Sequence, residues 1–575
     1  MTTTVPPHVS KIEDYLARLR DLRSEIWPLE VPREVIYPLG QITITEHIRR
    51  WARVRGDHAA VVWHGRTVTY AELDRLSDRV AAHLAHRGLG PGDRVAVMMP
   101  NLPQFLVTFF GILKAGCVHV PINPMFRRLE VRYEIEDTGA RLAFVLDDLI
   151  EEFAAGAEDT SITEVVATSV RDFLPESEPL PPGAQDGVPP APGAVRFLDV
   201  IGRDDLPVPD DPGDLDALAA LNYTGGTTGM PKGCEHTQRD MLYTAATGGV
   251  QGTAITQDSV FLLYLPVFWI AGEDGFLVPL TAGATLVLQY RYDADETARA
   301  IDRHQATSFV GTVDNVIEVM EAAQRLGTSL ASLEQVTSMS FVTKLSAQVR
   351  ERWAAESGSS AVLRESSYGM TEDHTMDTFT RGLEAIDLAG RPGFVGIPMP
   401  GTDVAIVDFL TEELMPIGEE GQIIVRAPSL MRGYYGKPEA TADTLRDGWL
   451  FTGDSGLIDE RGCLHYLGRR KEMLKVNGMS VFPSELEFQL SQHPDITAVG
   501  VVGQTDHSKG EVPLAFVELR DGVELSPDDI RDWSRQNMAP YKVPLVRVLP
   551  EIPLAPTGKV LKRELERLAS SPSEG

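Results

Sequence analysis

Short apolar runs alternate with helical stretches between about Ala59 and Val145, and this alternation constrains the fold more than any other feature of the sequence. The strand candidates are RVAVMM, GCVHVPI and ARLAFVL, and the helix candidates run from Tyr70 to Arg87 and from Pro103 to Lys114. A second series from Leu215 to about Val342 repeats the pattern. Strands that alternate with helices build α/β folds with mostly parallel sheets.

The chain of 575 residues is too long for one hydrophobic core, because cores stop growing near about 250 to 300 residues. The glycine- and proline-rich section GRPGFVGIPMPGTDVAIVD leads into short strands that predict a small β-barrel-like unit. After GRRKEML at 468–474 the pattern changes to a compact α+β segment, so we place a domain boundary near Arg469. We expect four regions: a helical extension over 1–40, a large domain of two α/β subdomains over 41–468, a proline-rich acidic excursion within it at 173–213, and a small α+β domain over 469–575.

Charge and composition exclude several classes of protein. The net charge of −30 argues against nucleic acid as a partner, because phosphate backbones require clustered Lys and Arg. No segment approaches the roughly 18 consecutive apolar residues of a membrane span. The N-terminus lacks the basic and then apolar regions of a signal peptide, so we expect a cytoplasmic enzyme. The three cysteines, Cys117, Cys234 and Cys463, are widely separated, and this spacing argues against a disulfide scaffold or a zinc site.

The segment YTGGTTGMPKG at 223–233 follows the apolar strand candidate ALAALNY and contains four glycines, four hydroxyl-bearing residues and one lysine. Such a loop turns backbone N–H groups toward one point, while threonine hydroxyls and Lys232 add donors and charge, which suits a polyphosphate. Lys232 stands between Pro231 and Gly233, so the loop lacks the Gly-Lys-Ser/Thr order of a Walker motif. The sequence therefore predicts a phosphate-binding loop outside the Walker class.

This loop resembles the phosphate-binding signature of the adenylate-forming superfamily of acyl-CoA synthetases, nonribosomal adenylation domains and luciferases. Four further segments resemble the family's other signatures in the expected order: YGMTE at 368–372, GWLFTGDSG at 448–456, GRRKEMLKVNGMSVFPSELE at 468–487 and PLAPTGKVLKREL near the end. The resemblance extends from about Ile42 to Leu568. It implies an enzyme that uses ATP and Mg²⁺ to convert a carboxylic acid into an acyl-AMP.

By this resemblance, the ATP phosphates would contact Thr224, Gly225, Gly226, Thr227, Thr228, Gly229 and Lys232. Tyr368 would stack near adenine and Thr371 would donate a hydrogen bond to the α-phosphate. Glu372, with Thr224, would bind Mg²⁺, for which a hard oxygen ligand beside a phosphate is suitable. Asp454 would accept hydrogen bonds from both ribose hydroxyls, and Arg469 would contact ribose and phosphate.

The resemblance also assigns roles to the C-terminal domain, which rotates between two half-reactions in this family. Lys559 would bridge the carboxylate and the α-phosphate during adenylation, and Lys471 would be the hinge. The loop from Lys475 to Gly478 would then approach the pantetheine tunnel of coenzyme A. The family often has Asp where Gly468 stands, which predicts a slightly looser hinge.

The acid-binding pocket departs from the family pattern. Trp269 stands where many relatives carry histidine, and Phe341, Val342 and Thr343 replace small residues, which predicts a narrowed pocket. Acidic and amide residues occur in segments expected to line it, which favours a short or aromatic acid with a polar or amine substituent; these are Glu273, Asp274, Asp314, Asn315, Asp373 and His374. The alternative is that most of these side chains face solvent.

Three alternatives remain open at this level. The acyl group could pass to a carrier protein or an amine, or the enzyme could adenylate an inorganic oxyanion such as nitrite, as diazotases do. A non-catalytic nucleotide-binding homologue is disfavoured by Lys559, Glu372 and Asp454. The sequence leaves the oligomeric state open.

Overall fold

The structure, a computed structural model, describes residues 7–187, 193–224, 230–340, 345–388, 393–469, 474–476, 479–481, 483–490, 492–506, 510–553 and 560–570. Its helices are α1 Pro7–Ile26, α2 Ile44–Val54, α3 Tyr70–His86, α4 Pro103–Lys114, α5 Arg128–Thr138, α6 Ile150–Ala157, α7 Phe197–Ile201, α8 Gln238–Thr247, α9 Ile270–Ala282, α10 Ala294–His304, α11 Val313–Leu326, α12 Ala347–Glu356, α13 Pro438–Thr444, α14 Pro483–Leu490, α15 Pro527–Asn537 and α16 Lys562–Ser570.

The strands of the first half are β1 Ala59–Trp63, β2 Arg66–Thr69, β3 Arg94–Met98, β4 Val118–Pro121, β5 Leu142–Leu146, β6 Glu164–Thr168, β7 Val195–Arg196, β8 Leu218–Thr224, β9 Lys232–Thr237, β10 Val260–Leu263, β11 Thr285–Leu288, β12 Ser308–Thr312 and β13 Gln335–Met339. Those of the second half are β14 Leu363–Glu365, β15 Thr378–Phe379, β16 Phe394–Pro398, β17 Asp403–Val407, β18 Gly421–Arg426, β19 Leu445–Arg446, β20 Trp449–Ile458, β21 Leu464–Arg469, β22 Leu474–Val476, β23 Met479–Val481, β24 Ile496–Asp506, β25 Gly510–Leu519 and β26 Leu545–Leu549.

Two seven-stranded sheets form the large lobe, which we define as the described residues up to 469. Their strand orders are β7-β6-β5-β3-β4-β8-β9 and β14-β13-β12-β10-β11-β1-β2, and each is parallel except for one hairpin, β8–β9 or β1–β2. The predicted strands RVAVMM, GCVHVPI and ARLAFVL contain β3, β4 and β5, and all five residues of β5 are buried. Strands buried on both faces are apolar throughout, which confirms the expected α/β fold with mostly parallel sheets.

One hydrophobic core joins the two parallel sheets. All twelve residues of α4 are buried, which fits a helix that is apolar on every side. Phe105 and Phe109 from α4 meet Phe276 from α9 edge to face, with ring centres 6.3 and 5.1 Å apart. The same core contains Val95 of β3 and Leu286 of β11, so α4 and α9 lie between the sheets.

The third sheet of the large lobe is antiparallel, in the order β15-β16-β21-β20-β18-β17 with β19 beside β20. It takes the place of the predicted barrel-like unit, and its end strands β15 and β17 are not paired with each other among the described residues. Helix α1 docks on it through Leu16 and Leu19, which are fully buried. The N-terminal helix is therefore packed against the large lobe, as an amphipathic pattern favours.

The expected excursion at 173–213 contains ordered elements in its second half. Strand β7 pairs with β6, and Phe197 at the start of α7 is fully buried. Its ring lies 6.2 Å from that of Phe144 and 6.4 Å from that of Phe173. Residues 175–187 and 202–213 contain neither helix nor strand, so the ordered elements of this excursion are confined to its middle.

The small lobe, described from Leu474 onward, has its own sheet and core. Strands β23-β22-β25-β24 form the sheet, and β26 adds to β25 in parallel. Val501, Ala515 and Leu486 are fully buried within this core. Ala539, in contrast, is buried in the large lobe beside Val131, which places the 539–542 segment at the contact between the lobes. No described helix combines the length and apolar character that crossing a bilayer requires.

Candidate functional site

The predicted phosphate loop lies between two paired strands. Strand β8 ends at Thr224, β9 begins at Lys232, and these two residues are partners in the antiparallel ladder. The loop thus starts at the C-terminal end of β8, where ligands bind in open α/β sheets. Its residues Gly225, Gly226, Thr227, Thr228 and Gly229 lie outside the described residues, and their contacts with phosphate remain a prediction.

Both ends of this loop are attached to helix α5. The Tyr223 hydroxyl donates to Asp137 Oδ2 at 2.7 Å, and the Tyr133 hydroxyl donates to the Pro231 carbonyl at 2.7 Å. Lys437 pairs with the other oxygen of Asp137. Burial, followed by the nearby Glu134 and Asp137 charges, raises the pKa of Tyr223, which keeps it a neutral donor. Its hydroxyl therefore anchors the loop to the helix.

A segment at 431–435 connects the loop strands to the turn that carries Glu372. The Met431 amide donates to the Glu372 carbonyl at 2.8 Å, and the Tyr435 amide donates to the Gly233 carbonyl at 2.8 Å. The Tyr434 hydroxyl donates to Glu372 Oε1 at 2.8 Å, while Lys232 Nζ lies 4.4 Å from the centre of the Tyr434 ring. The Tyr434 side chain therefore contacts both Glu372, the predicted metal ligand, and Lys232, the lysine predicted to bind phosphate.

The donor set here fits Mg²⁺ carried by a polyphosphate. Glu372 is half-buried and offers carboxylate oxygen, the ligand type that Mg²⁺ prefers. Within the described ranges, no three His, Cys, Asp or Glu side chains form a group that could enclose a metal ion. A Mg²⁺ ion carried by substrate phosphates would contact Glu372, and Thr224 at the end of β8 is the second predicted contact.

Tyr368, Asp454 and Arg469, predicted to contact the nucleoside, lie together. The Tyr368 hydroxyl donates to Asp454 Oδ2 at 2.8 Å, and its ring lies 5.7 Å from that of Tyr466. Burial, then the Asp454 charge, raises the pKa of Tyr368 well above its ordinary value. Asp454 in β20 is paired with Arg469 at the end of β21. Tertiary structure thus brings together three residues that the sequence separates, and stacking on adenine remains a prediction.

Thr371 begins a short 3-10 turn, Thr371–Asp373. Its carbonyl oxygen lies 2.6 Å from Nε2 of His236, so this turn is joined to strand β9. Sequence reasoning missed His236 and Tyr434. The paired tyrosines in GYYGKP, next to a glycine on each side, were the available signal for Tyr434, whereas nothing local distinguishes His236.

Two of the predicted acid-pocket residues are described, and they lie at the starts of two different helices. Trp269 is the N-cap of α9 and is 36% exposed, with its ring 5.7 Å from that of Phe268. Asp314 is half-buried in the first turn of α11, and its neighbour Asn315 accepts a hydrogen bond from Tyr264 at 2.7 Å. Phe341, Val342 and Thr343 lie outside the described residues. The preceding residue, Ser340, donates a backbone hydrogen bond of 3.0 Å to the Glu365 side chain.

Four of the polar residues expected near the pocket are buried inside the large lobe instead. Glu273, Asp274, Asp373 and His374 are at most 2% exposed. They face one another or the turn backbone, so the structure supports neither the pocket-lining nor the solvent-facing interpretation for these four. The reason is that α9 lies between the sheets, which directs both carboxylates into the lobe.

The predicted residues of the small lobe are only partly described. Lys475 lies in β22, is paired with Ser480, and its amide donates to Glu511 Oε2 at 3.1 Å. Lys471, Gly478 and Lys559 lie outside the described residues, as does the side chain of Arg469. Their roles as hinge, acceptor loop, adenylation lysine and ribose contact remain predictions.

Two family models match the chain in the order of its lobes. Residues 48–435 match the AMP-binding enzyme model, and residues 485–559 match the AMP-binding enzyme C-terminal domain. The first match alone covers more than half of the 575 residues.

Curated relatives span the same length. The long-chain-fatty-acid–CoA ligase of Bacillus subtilis (strain 168) is 31% identical over 553 residues, 94% of this chain and 96% of that protein. The 4-coumarate–CoA ligase 3 of Oryza sativa subsp. japonica is 31% identical over 516 residues, 88% of each protein. Among solved structures, o-succinylbenzoate CoA synthetase from Bacillus subtilis has a TM-score of 0.74 at 23% identity, covering 91% of this chain and 98% of that one, a likeness of fold.

Proposed function

Because the chain belongs to the AMP-binding enzyme family, within the adenylate-forming, acyl-CoA synthetase-like superfamily, we propose that it uses MgATP to activate a carboxylic acid and then forms its coenzyme A thioester. One observation carries this proposal. The Tyr434 side chain joins Glu372 to Lys232 across the strands that bound the phosphate loop. This arrangement presents a carboxylate and a cation to one bound polyphosphate.

In the first half-reaction, a carboxylate oxygen bonds to the α-phosphorus, the α–β anhydride bond breaks, and pyrophosphate leaves. Two anions must approach each other, so the residues contribute position and charge neutralisation rather than acid–base chemistry. We assign these roles to Thr371, Lys232 and Lys559, with Asp454 holding the ribose. Mg²⁺, when bound, neutralises charge on the phosphate oxygens.

In the second half-reaction, the thiol sulfur bonds to the acyl carbon, AMP leaves, and the thiol proton passes to solvent. We propose that residues 469–575 act as the mobile lobe, with Lys471 as the hinge and the Lys475–Gly478 loop directed at the acceptor. The relatives named as CoA ligases support coenzyme A as that acceptor. A carrier protein and an amine are the alternative acceptors of the acyl group. Nitrite is the alternative to the carboxylic acid as the anion that is adenylated.

For the acid, we propose a short or aromatic substrate with a polar substituent. Trp269, partly exposed at the start of α9, offers an aromatic surface, and Asp314 in the first turn of α11 offers a polar contact. Burial of Glu273, Asp274, Asp373 and His374 removes most of the support for an amine substituent. The relatives do not distinguish fatty acids from aromatic acids as substrates, since a fatty-acid ligase and an aryl ligase have the same sequence identity to this chain, 31%.

The decisive experiment supplies the purified protein with ATP, Mg²⁺ and a panel of benzoic, cinnamic, amino-substituted and fatty acids. We expect AMP and pyrophosphate, with a thioester appearing only when coenzyme A is added. Formation of ADP would contradict the proposed function. Strongest turnover with dodecanoate or a longer acid would contradict the proposed substrate class while leaving the chemistry intact.

A further inference from the structure

Five ionisable side chains from four parts of the chain meet next to strands β8 and β9, which flank the phosphate loop. None is more than 2% exposed; they are Glu273 and Asp274 of α9, His374 after the 3-10 turn, His236 of β9 and His119 of β4. We call this set the buried cluster. Charged groups are placed in an apolar interior only at considerable cost unless they are paired. The proposed chemistry assigns no role to any of the five.

Glu273 lies at the centre of the contacts in the buried cluster. Its Oε1 lies 3.4 Å from His374 Nε2, and its Oε2 accepts a hydrogen bond of 3.2 Å from Asn222. On the other side of the His374 ring, Nδ1 lies 3.8 Å from Asp274 Oδ1. The rings of His374 and His236 meet edge to face with centres 4.9 Å apart.

These contacts connect the three parts of the proposed active site. Asn222 precedes Thr224, where the phosphate loop begins, by two residues. His374 follows Glu372, the proposed metal ligand, by two residues. Helix α9, which carries Glu273, begins directly after Trp269 of the acid pocket. One carboxylate therefore connects the strand before the phosphate loop with the turn that carries Thr371 and Glu372.

The backbone after this turn is strained and needs support. His374, Thr375 and Met376 have φ values of 58°, 59° and 60°, a left-handed conformation that costs each non-glycine residue about 1 to 2 kcal/mol. Asp373 Oδ1 accepts hydrogen bonds from the Met370 and Thr375 amides at 2.8 and 3.0 Å. Strain of this kind persists only where surrounding contacts determine the conformation, and the His374 contact with Glu273 is one of them.

The two carboxyl groups of the buried cluster have pKa values shifted in opposite directions. Burial acts to raise the pKa of Glu273, but the neighbouring His374 holds that pKa below its ordinary value. Burial, then the Glu273 charge, raises the pKa of Asp274 well above its usual range. Burial therefore disfavours the charged form of Asp274, and Glu273 Oε1 is the nearer of the two carboxylates to the His374 ring, at 3.4 Å against 3.8 Å.

We propose that Glu273 and His374 are positioning residues for adenylation, which hold the Thr371–Glu372 turn at a fixed place relative to the phosphate loop. This inference rests on the proposed function. Neither residue touches substrate; each acts through a residue that does. The proposal explains why a helix between two sheets carries a carboxylate where an apolar residue would pack at lower cost.

Stability and activity should respond differently to loss of this pair. Replacing both members of a buried polar contact leaves neither partner facing an unmatched charge, so Glu273→Gln/His374→Gln is expected to fold. Position, however, depends on the pair, and a displacement of about 1 Å at a reacting centre costs about a hundredfold in rate. The single variant Glu273→Gln provides a second test if the double variant folds poorly.

The experiment measures AMP formation, the dissociation constant of the Mg²⁺ complex of α,β-methylene-ATP by calorimetry, and the melting temperature. We expect Glu273→Gln and the double variant to lower kcat at least about tenfold and to weaken Mg²⁺-nucleotide binding about threefold or more, with the KM for the acid within about twofold. Lys114→Met is the matched control, because Lys114 is buried and pairs with Asp74 and Asp78 away from the site.

Each outcome bears on the proposal. A folded Glu273→Gln protein with unchanged kcat and unchanged nucleotide binding would overturn it, as would equal losses in Lys114→Met at the same decrease in melting temperature. If the wild-type protein forms no AMP with any acid, the proposed function fails instead. In that case the calorimetric comparison still tests whether Glu273 positions the nucleotide site.

Discussion

Lys542 of the small lobe forms a buried ion pair with Glu130 of the large lobe, with Nζ and Oε1 2.9 Å apart. Both side chains are at most 4% exposed. The Ala539 amide donates to the second oxygen of Glu130 at 3.1 Å, and Lys542 Nζ lies 4.6 Å from the centre of the Phe126 ring. A carboxylate at the first turn of α5 thus fastens the small lobe in one orientation.

Loss of this pair should release the small lobe. In Lys542→Met the buried Glu130 carboxylate loses a charge partner, which costs about 3 to 5 kcal/mol when one member of a buried pair is removed. We expect faster limited proteolysis between residues 470 and 490 and a changed ratio of the two half-reactions. Arg132→Ala, which removes the exposed pair with Glu136 on the same helix, is the control. Identical cleavage rates in both variants would contradict the prediction.

Tyr368→Phe should weaken ATP binding. The substitution removes the hydroxyl that donates to Asp454 and leaves a buried carboxylate oxygen without that donor. A hydrogen bond to a charged group contributes about 1.5 to 3 kcal/mol, so we expect the KM for ATP to rise about tenfold. Steady-state kinetics with ATP varied at saturating acid measure this. An unchanged KM would show that Asp454 does not depend on Tyr368.

Gly369→Ala should distort the turn that carries Thr371. A Cβ at this position would lie 2.4 Å from the Met376 amide nitrogen and 2.7 Å from the Thr375 carbonyl carbon, and neither backbone atom can move aside easily. We expect a loss of about 1 to 3 kcal/mol in the free energy of unfolding, together with loss of AMP formation. Gly90→Ala is the control, because no atom lies within 4 Å of its added Cβ. Equal effects of the two substitutions would contradict the steric argument.

His119 should contribute to acid sensitivity of the large lobe. Burial lowers its pKa to about 4, and neither ring nitrogen has a hydrogen-bond partner in the part of the chain that is described. Phe105 and Phe109 face the ring edge to face, and Glu273 is the nearby charge. The unfolded chain binds a proton near pH 6.5 and the folded chain only near pH 4, so stability is lost as pH falls between these values.

The loss attributable to His119 is about 3 kcal/mol at pH 4. In His119→Phe, the free energy of unfolding measured by denaturant should therefore fall less steeply between pH 6.5 and 4 than in the wild type. At pH 7.5 both proteins have a neutral group here, so that pH provides the internal reference. Parallel curves for the two proteins over the whole window would contradict the assignment.

Lys559→Ala should separate the two half-reactions. The proposed role of Lys559 is to neutralise charge as the carboxylate attacks, help that is worth several kcal/mol. We expect AMP formation from ATP and acid to be abolished, while transfer from a supplied acyl-AMP to coenzyme A is largely retained. Equal loss of both steps would refute the division of labour between Lys559 and the Lys475–Gly478 loop.

The sequence by itself determined the fold class and the strand that leads into the phosphate loop, because these depend on local patterns. Strand β5 is a continuous apolar run along the chain, and strand β8, which ends at Thr224, is predicted from its apolar composition alone. The resemblance assigned Tyr368 to adenine and Asp454 to ribose, but the hydrogen bond between them is seen only in the structure, since no local signal links residues so far apart in sequence.

Only the tertiary structure decided where the polar residues of α9 and of the turn after Glu372 point. From sequence, Glu273 and His374 could face either a substrate pocket or solvent. The packing of α9 between two sheets directs Glu273 inward, where Asn222 and His374 meet it. Such contacts join strands and turns distant in sequence, and their energies depend on burial, which a linear pattern does not specify.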